Sequence, residues 1–468
     1  MKVEGRKALV LGAGKSGVEA ARFLAARGAT VALHDKKAVE DWSEAARSLK
    51  AEYGVGLMSG DIPSWLLDQI DLVVISPGVP TNTIPARYVD RKDGEVIGEV
   101  ELAFRFMKGR FVGITGSNGK TTTTALIGEL LRNAGIATQV GGNIGTPLLS
   151  LAENSRDDGW TVAELSSFQL ETIVDFRPGV AICLNVTPNH LDRYDSFQDY
   201  AAAKHRIFMN QTAEDVAILN ADDSICASWA SGLKANVVMF SVKRELETGL
   251  FLRGNELVSR LNGSEKVLTT REQIFLRGLH NVENVLAALA AGLACGASVE
   301  SMRETVATFK GVEHRIEFVV EVEGVKFYND SKATSVDATS KALEALSGGS
   351  GKTVLILGGR GKNAPYAPLV PLISSSVRSL VLIGEDADNI ESQLAGTAEI
   401  LRGSTLDEAV AMGFGAAQNG DSVLLAPACA SFDMFKSFEE RGEVFKAAVN
   451  KLRERTTPSA EAAATPPS

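Results

Sequence analysis

Two glycine-rich turns, each entered from an apolar run and left on a helical pattern, constrain this chain more than any other feature. The first, GAGKSG at 12–17, follows KALVL and leads into SGVEAARFLAAR, with Gly28 at its end. The second, TGSNGKT at 115–121, follows FVGI and leads into threonines and ALIGELL. A strand that turns through glycines straight into a helix is the first half of a βαβ crossover. Such units build parallel sheets with helices packed on their faces. A chain of 468 residues is also too long for one ordinary core, so two to four domains are expected.

The rhythm along the chain fits three α/β units. TVALHD and DLVVISPG continue the first as strands. A second unit starts near Glu99, with FVGIT, TVAEL, VAICLNV and DVAILN as strands. Residues 241–278 break into short alternating runs around Gly254-Asn255 and Asn262-Gly263, which predicts antiparallel hairpins. HNVENVLAALAAGLA is helical, and near Val312 the strands resume with VKFYND, TVLILGG, SLVLIG and SVLLAP. A helical pattern runs from Met434 to about Arg455. The expected domains are therefore 1–98, 99–311 and 312–455, with 456–468 (Pro/Ala/Thr-rich) as a disordered tail. The fold class is α/β, with a Rossmann-like first domain, a central mononucleotide-binding domain of the P-loop type and a Rossmann-like last domain.

Bulk composition narrows the functional classes. With 45% hydrophobic and 23% charged residues, and no apolar run of membrane-spanning length, the chain is expected to be soluble and cytoplasmic. A net charge of −10 argues against general nucleic-acid binding. Cys183, Cys226, Cys295 and Cys429 lack metal-ligand spacing and are read as reduced core thiols.

The second turn carries the most specific chemistry. Gly116 and Gly119 let the backbone approach phosphate oxygens, and the amides of Ser117, Asn118 and the following helix face an anion. Lys120 is expected on the β/γ-phosphates and Thr121 on a Mg²⁺ ion, with Thr122 beside it. The strict eight-residue pattern is broken, because Ile114 stands where its first glycine belongs. Glu164 ends the strand TVAEL and His190 follows VAICLNVTPN, so both fall at strand C-terminal ends, where open α/β sheets bind ligands. Taken singly, His190 reads as a turn histidine and Glu164 as a cap. Together they form a candidate metal pair. The first turn, with Asp35 ending the next strand, reads by itself as a dinucleotide fingerprint; its tight backbone and helix dipole suit any diphosphate.

Several separated motifs, in order, resemble the Mur ligases: GITGSNGKTTTT, GGNIGTP, AELSSFQLE, NVTPNHLDRY, AAAKHRIF, HNVENVLAA, VEHRIE, YNDSKATS and PACASFDMFKSFEERG. These are ATP-dependent amide-forming enzymes of peptidoglycan precursor synthesis, and the resemblance covers about residues 5–455. NDSKATS with ACASFDMFKSFEERG resembles the branch that adds D-glutamate. Folylpolyglutamate synthase shares the central domain but lacks this first domain.

The resemblance implies a function and a set of residues. The first domain would hold the UDP of a UDP-N-acetylmuramoyl-L-alanine substrate through Gly14, Lys15, Ser16, Asp35, Lys36, Ser76 and Gly78. Ser76 and Gly78 also read as turn formers in SPGVP. The central domain would hold ATP through residues 116–122 and Asn284. Arg315 and Asp330 would join from the third domain, with His314 beside them, as that domain closes over the nucleotide. Lys120, Asn143, His190 and Lys204 would be catalytic. Thr121, Glu164, His190 and Lys204, the last as a carbamate, would hold two Mg²⁺ ions. On its own, Lys204 reads as a surface residue of an amphipathic helix. Lys332, Thr334, Lys362, Ser431 and Phe438 would bind D-glutamate, although Phe438 also reads as a core residue of the last helix. Arg360 stands where the family often has an acidic residue. The working form is expected to be a monomer that binds neither nucleic acid nor membrane. The rival classes are an NAD-dependent oxidoreductase, a P-loop switch and, within the family, the L-alanine-adding ligase.

Overall fold

The computed structural model describes residues 1–85, 88, 94–143, 146–187, 194–276, 278–346, 351–361 and 365–456. The chain divides into two compact units, Met1–Phe309 and Lys310–Ser468. The first unit therefore contains both of the first two expected domains. The expected 456–468 tail lies, apart from Thr456, outside the described residues.

The first sheet holds β1 (Lys7–Leu11), β2 (Thr30–Asp35), β3 (Gly56–Ser59), β4 (Leu72–Ile75) and β5 (Glu95–Gly98) in the order β3-β2-β1-β4-β5. All of its pairings are parallel. Ala8 to Leu11 are essentially inaccessible, as expected of a strand covered on both faces. The chain leaves β1 for β2 on one side and returns to β4 on the other. That reversal opens a crevice at the ends of β1 and β4, beside Gly14 and Ser76. Gly17 permits the close packing there, since a Cβ at that position would fall 1.8 Å from the Gly12 carbonyl oxygen.

The central sheet comprises β6 (Arg110–Thr115), β7 (Thr138–Gly142), β8 (Trp160–Glu164), β9 (Val180–Cys183), β10 (Val216–Asn220), β11 (Asn236–Ser241), β12 (Gly249–Arg253), β13 (Glu256–Leu261) and β14 (Ser264–Thr270). Its order is β14-β13-β12-β11-β10-β9-β6-β8-β7, and β12–β13 and β13–β14 are the antiparallel hairpins anticipated from the turn residues. The Lys120–Asn133 helix buries Leu126, Ile127, Leu130 and Leu131 in a core shared with the Leu279–Ala294 helix. β6 lies between β8 and β9, so the phosphate-type turn, Glu164 and the segment after Cys183 all start from one edge of the sheet.

A buried carboxylate braces the first unit. Glu101, in the Glu99–Phe106 helix, is fully buried and accepts backbone N–H bonds from Val174, Asp175 and Phe176 at 2.8–3.1 Å. Arg105 donates to it at 2.7 Å and also pairs with Glu95 of β5. The first sheet and the central-sheet turn at 174–176 are thereby held by one ion network.

The second unit has β15 (Glu317–Val322), β16 (Val325–Asn329), β17 (Thr353–Gly358), β18 (Val377–Ile383), β19 (Glu399–Arg402) and β20 (Ser422–Leu425) in the order β15-β16-β20-β17-β18-β19. Only β15–β16 is antiparallel. The last helix spans Phe438–Thr456 and so begins later than the pattern from Met434 suggests. The reason is local: the Ser437 hydroxyl accepts the Glu440 amide at 3.2 Å, while Met434 and Phe435 turn back onto the Ser431 carbonyl.

Replacing Glu101 by Ala strands three amides and takes one of its carboxylate partners from Arg105. The loss is expected to be about 3–5 kcal/mol, the cost of breaking a buried ion pair from one side. Calorimetry of the full chain should show a clearly lowered first melting transition; a wild-type trace refutes this role for Glu101.

Candidate functional site

The turn after β6 is held rigidly from outside. Gly116 (φ +148°) and Gly119 (φ +81°) occupy backbone regions that favour glycine, and a Cβ on Gly119 would lie 2.2 Å from Asn284 Oδ1. Asn185, just past β9, grips the turn three times. Its carbonyl accepts the Ser117 amide at 2.9 Å, its side-chain oxygen accepts the Asn118 amide at 2.8 Å, and its Nδ2 donates to the Asn118 carbonyl at 3.3 Å. The Ser117 hydroxyl is also hydrogen-bonded to Tyr200 at 3.1 Å. Asn284 is buried and accepts the Thr123 hydroxyl at 3.3 Å. No side chain caps the Lys120–Asn133 helix, so its first amides point into the turn as an anion cradle.

Two lysines meet at this turn. Lys120 Nζ donates to the Gly116 carbonyl at 2.8 Å and to that of Ser117 at 3.1 Å. Lys204 Nζ donates to the same Gly116 oxygen at 2.9 Å and lies 4.5 Å from the centre of the Tyr200 ring. Lys204 is only 1% exposed, which overturns its reading as a surface residue. Burial, with the Lys120 charge adding to it, pushes the Lys204 amine down to about 7. A large fraction is therefore an uncharged nucleophile at neutral pH.

Across the sheet edge, Glu164 is 2% exposed and its Oε1 accepts Asn143 Nδ2 at 3.2 Å, while the Asn143 amide donates to the Glu164 carbonyl at 2.8 Å. Gly142 (φ +119°) makes this approach possible, because a Cβ there would lie 2.2 Å from that carbonyl. Thr121 is buried at the helix start. A hydroxyl and a carboxylate are the hard oxygen donors that Mg²⁺ accepts, so this donor set fits the ion. His190 lies outside the described residues.

At the first crevice, Gly14, Lys15, Ser16, Asp35, Lys36, Ser76 and Gly78 all line one cavity of about 460 Å³. Burial pushes the Asp35 carboxyl up, but amide bonds from Ala13 at 2.8 Å and Lys37 at 3.0 Å outweigh it and leave the group below its ordinary range. Asn143 and Gln169 line the same cavity from the central sheet. The cavity therefore reaches from the first glycine turn to the Glu164 neighbourhood.

In the second unit, Asp330 is buried, and desolvation pushes its carboxyl up to about 7 against the pull of Arg315. His314 Nδ1 lies 2.9 Å from Asn329 Nδ2. Lys332 Nζ lies 5.9 Å from the Phe438 ring centre. Phe438 is half-buried at the first position of its helix rather than packed in the core. Ser431 is buried, and Thr334 follows two residues after Lys332 in a tight turn. Lys362 lies outside the described residues.

Sequence reasoning missed Asn185, Tyr200, Gln169 and His34. Asn185 belongs to the quoted NVTPN stretch, but its grip depends on β9 lying beside β6, which no local pattern reveals. His34 lines the cavity and bonds the Gly60 carbonyl at 2.7 Å.

Comparison with known proteins matches three family models along the chain: the Mur ligase MurD-like N-terminal domain over residues 6–98, the Mur ligase middle domain over 114–292, and the Mur ligase glutamate ligase domain over 314–429. A UDP-N-acetylmuramoylalanine–D-glutamate ligase of Acidobacterium capsulatum is 48% identical over 95% of this chain and 96% of its own length. One of the same name from Solibacter usitatus is 49% identical over 97% and 99%. The crystal structure of a UDP-N-acetylmuramate-alanine ligase from Thermotoga maritima covers 96% of this chain and 100% of its own with a TM-score of 0.55; at 19% identity it speaks for the fold alone. The three matched domains and the near-full-length identities lead to one conclusion: this chain belongs to the Mur ligase family.

Proposed function

We propose that this protein is an ATP-dependent ligase that joins D-glutamate to the L-alanine carboxylate of UDP-N-acetylmuramoyl-L-alanine, a step of peptidoglycan precursor synthesis. What carries the reading is identity of nearly half the residues along almost the whole of both chains with relatives of that name. We extend it to a cytoplasmic monomer with domains 1–98, 99–311 and 312–455. No helix among the described residues is long and apolar enough to cross a membrane.

In this reading the first cavity takes the UDP moiety and the turn at 116–122 takes ATP. The substrate carboxylate attacks the γ-phosphorus, ADP leaves, and the amine of D-glutamate displaces phosphate from the resulting acyl phosphate. Two anions must approach in the first step, so fixed positive charge is the main need. Lys120 and the helix amides supply it, and Asn143, held by Glu164, orients the reacting carboxylate. Asn284, Arg315 and Asp330 bind the nucleotide. Lys332, Thr334, Lys362, Ser431 and the start of the Phe438 helix receive the amino acid. Two Mg²⁺ ions, held by Thr121, Glu164, His190 and Lys204, would neutralise phosphate charge. Lys204 reaches that role by adding CO₂: the uncharged amine attacks the carbon, a C–N bond forms, and one proton is released. A carbamate results, which is an anionic oxygen ligand.

The deciding assay is phosphate release with ATP, UDP-N-acetylmuramoyl-L-alanine and, in parallel, D-glutamate, L-glutamate, D-alanine or L-alanine. Only D-glutamate should give full turnover: the alanines leave donors for the second carboxylate unpaired, and inverting the α-carbon in L-glutamate cannot keep both carboxylates and the amine in place. A preference for L-alanine moves the chain to the alanine-adding branch. Lys120→Ala should lose at least a hundredfold in turnover yet keep UDP-substrate binding, since Lys120 belongs to the other turn. Activity within tenfold of wild type refutes the phosphate role.

Lys204 yields a prediction that couples stability to activity. Its ammonium ordinarily titrates at 10.5, and in the fold at about 7. Between these values the unfolded chain binds a proton that the folded chain does not, so folding is penalised in full at and below about pH 7, and the penalty fades towards pH 10.5. Lys204→Met should therefore be inactive yet more stable than wild type in CO₂-depleted buffer at pH 7, by about 1–4 kcal/mol. Gly116 keeps Lys120 as its donor in that variant. Thermal melts at pH 7 and pH 10 check both sign and trend, and a variant that is less stable at pH 7 refutes the depressed amine.

A further inference from the structure

The second unit contains a buried cation with an unusual set of partners. Arg441, in the last helix, is 1% exposed. Its Nε donates to Ser331 Oγ at 3.0 Å, its Nη2 to the Ser331 carbonyl at 2.9 Å, and Nη1 and Nη2 both to the Cys429 carbonyl at 3.2 Å. The Ser331 hydroxyl in turn donates to the Phe438 carbonyl at 2.7 Å. The guanidinium also lies against Gly359, where a Cβ would stand 3.2 Å from Nη1. Every one of these partners is neutral. Among the described residues no carboxylate hydrogen-bonds to Arg441; burial pulls its pKa down to about 10, against the weaker opposing pull of the nearby Asp433 carboxylate.

An arginine desolvated without a directly bonded counter-ion is costly, and packing alone would be served better by an apolar residue of similar volume. Two features explain its presence. The fork shape lets one side chain hold two separate segments in register, at Ser331 and Cys429, while lying against Gly359, which a single-point donor cannot do. The held segments are 329–334 and 429–431, which carry Lys332, Thr334 and Ser431, assigned above to the amino acid. The charge is also only partly offset, by the unbonded Asp433 carboxylate, so it still adds positive potential that a dianionic ligand can use.

We propose that Arg441 is a specificity-determining positioning residue: it ties together the loops that carry Lys332 and Ser431 and adds positive potential that favours an amino acid with two carboxylates. The proposal rests on the reading that those loops receive D-glutamate. It assigns no direct contact to Arg441, which acts through Ser331 and Cys429 and through its field.

Steady-state kinetics of the full chain test it, with KM measured separately for D-glutamate, ATP and the UDP-substrate in wild type, R441K and R441Q. R441Q is expected to raise the D-glutamate KM about tenfold or more, equivalent to about 1.4 kcal/mol, with the other two KM values within threefold. R441K keeps the cation but loses the fork and should fall between wild type and R441Q. A folded R441Q whose D-glutamate KM stays within threefold of wild type overturns the proposal. A parallel rise in all three KM values also overturns it, because a merely structural residue would give that result. Should R441Q fail to fold, R441K decides, and an unchanged D-glutamate KM there is equally fatal. A wild-type enzyme that releases no phosphate with D-glutamate refutes the underlying reading instead, and the two failures stay distinct.

Discussion

One carbonyl oxygen, that of Gly116, accepts both Lys120 and Lys204, and two full charges cannot share it cheaply in a site with so little water. The fold resolves the conflict by burying one amine and leaving the other half-exposed on its own turn. Much else follows from that division. Lys120 stays half-exposed beside the helix amides, while burial and the Lys120 charge lower the Lys204 amine to about 7, so that part of it is uncharged at neutral pH. The glycines, Asn185 and Tyr200 hold the turn that carries the shared carbonyl.

The two glycine turns and the strand–helix rhythm made the parallel sheets legible, because a βαβ crossover leaves a local imprint of apolar run, glycine turn and helical period. β3, β5, β7, β15 and β19 went unread. Each is a short edge strand, whose membership depends on a neighbour rather than on its own hydrophobicity. β11 was also missed, as the step from parallel to antiparallel pairing falls just after it. The two compact units also differ from three sequence-level segments, because Glu101 and Arg105 join the first sheet to the central one through contacts distant in sequence.

The candidate site divides in the same way. All seven residues assigned to the first turn line one cavity, since a glycine turn and its flanking strand ends form a crevice by local geometry. Residues that act through others left no such imprint. Asn185 and Arg441 are unremarkable in the sequence, and their importance comes from backbone groups brought near them by the sheet order. Lys204 falls between these cases: helical periodicity put it on an exposed face, and only the resemblance marked it, because its burial depends on the turn at Gly116 packing over it.

The Lys204 environment has a practical chemical consequence. A buried amine whose pKa is lowered to about 7 is partly uncharged at neutrality and invites small electrophiles isoelectronic with CO₂. Cyanate is one, and it accumulates in aged urea solutions. It would convert this amine irreversibly into a neutral urea derivative of nearly the same shape as the carbamate but without its negative charge. Protein handled in such solutions would look intact by fold and by mass to within one small adduct, yet it could no longer form the carbamate proposed for Lys204.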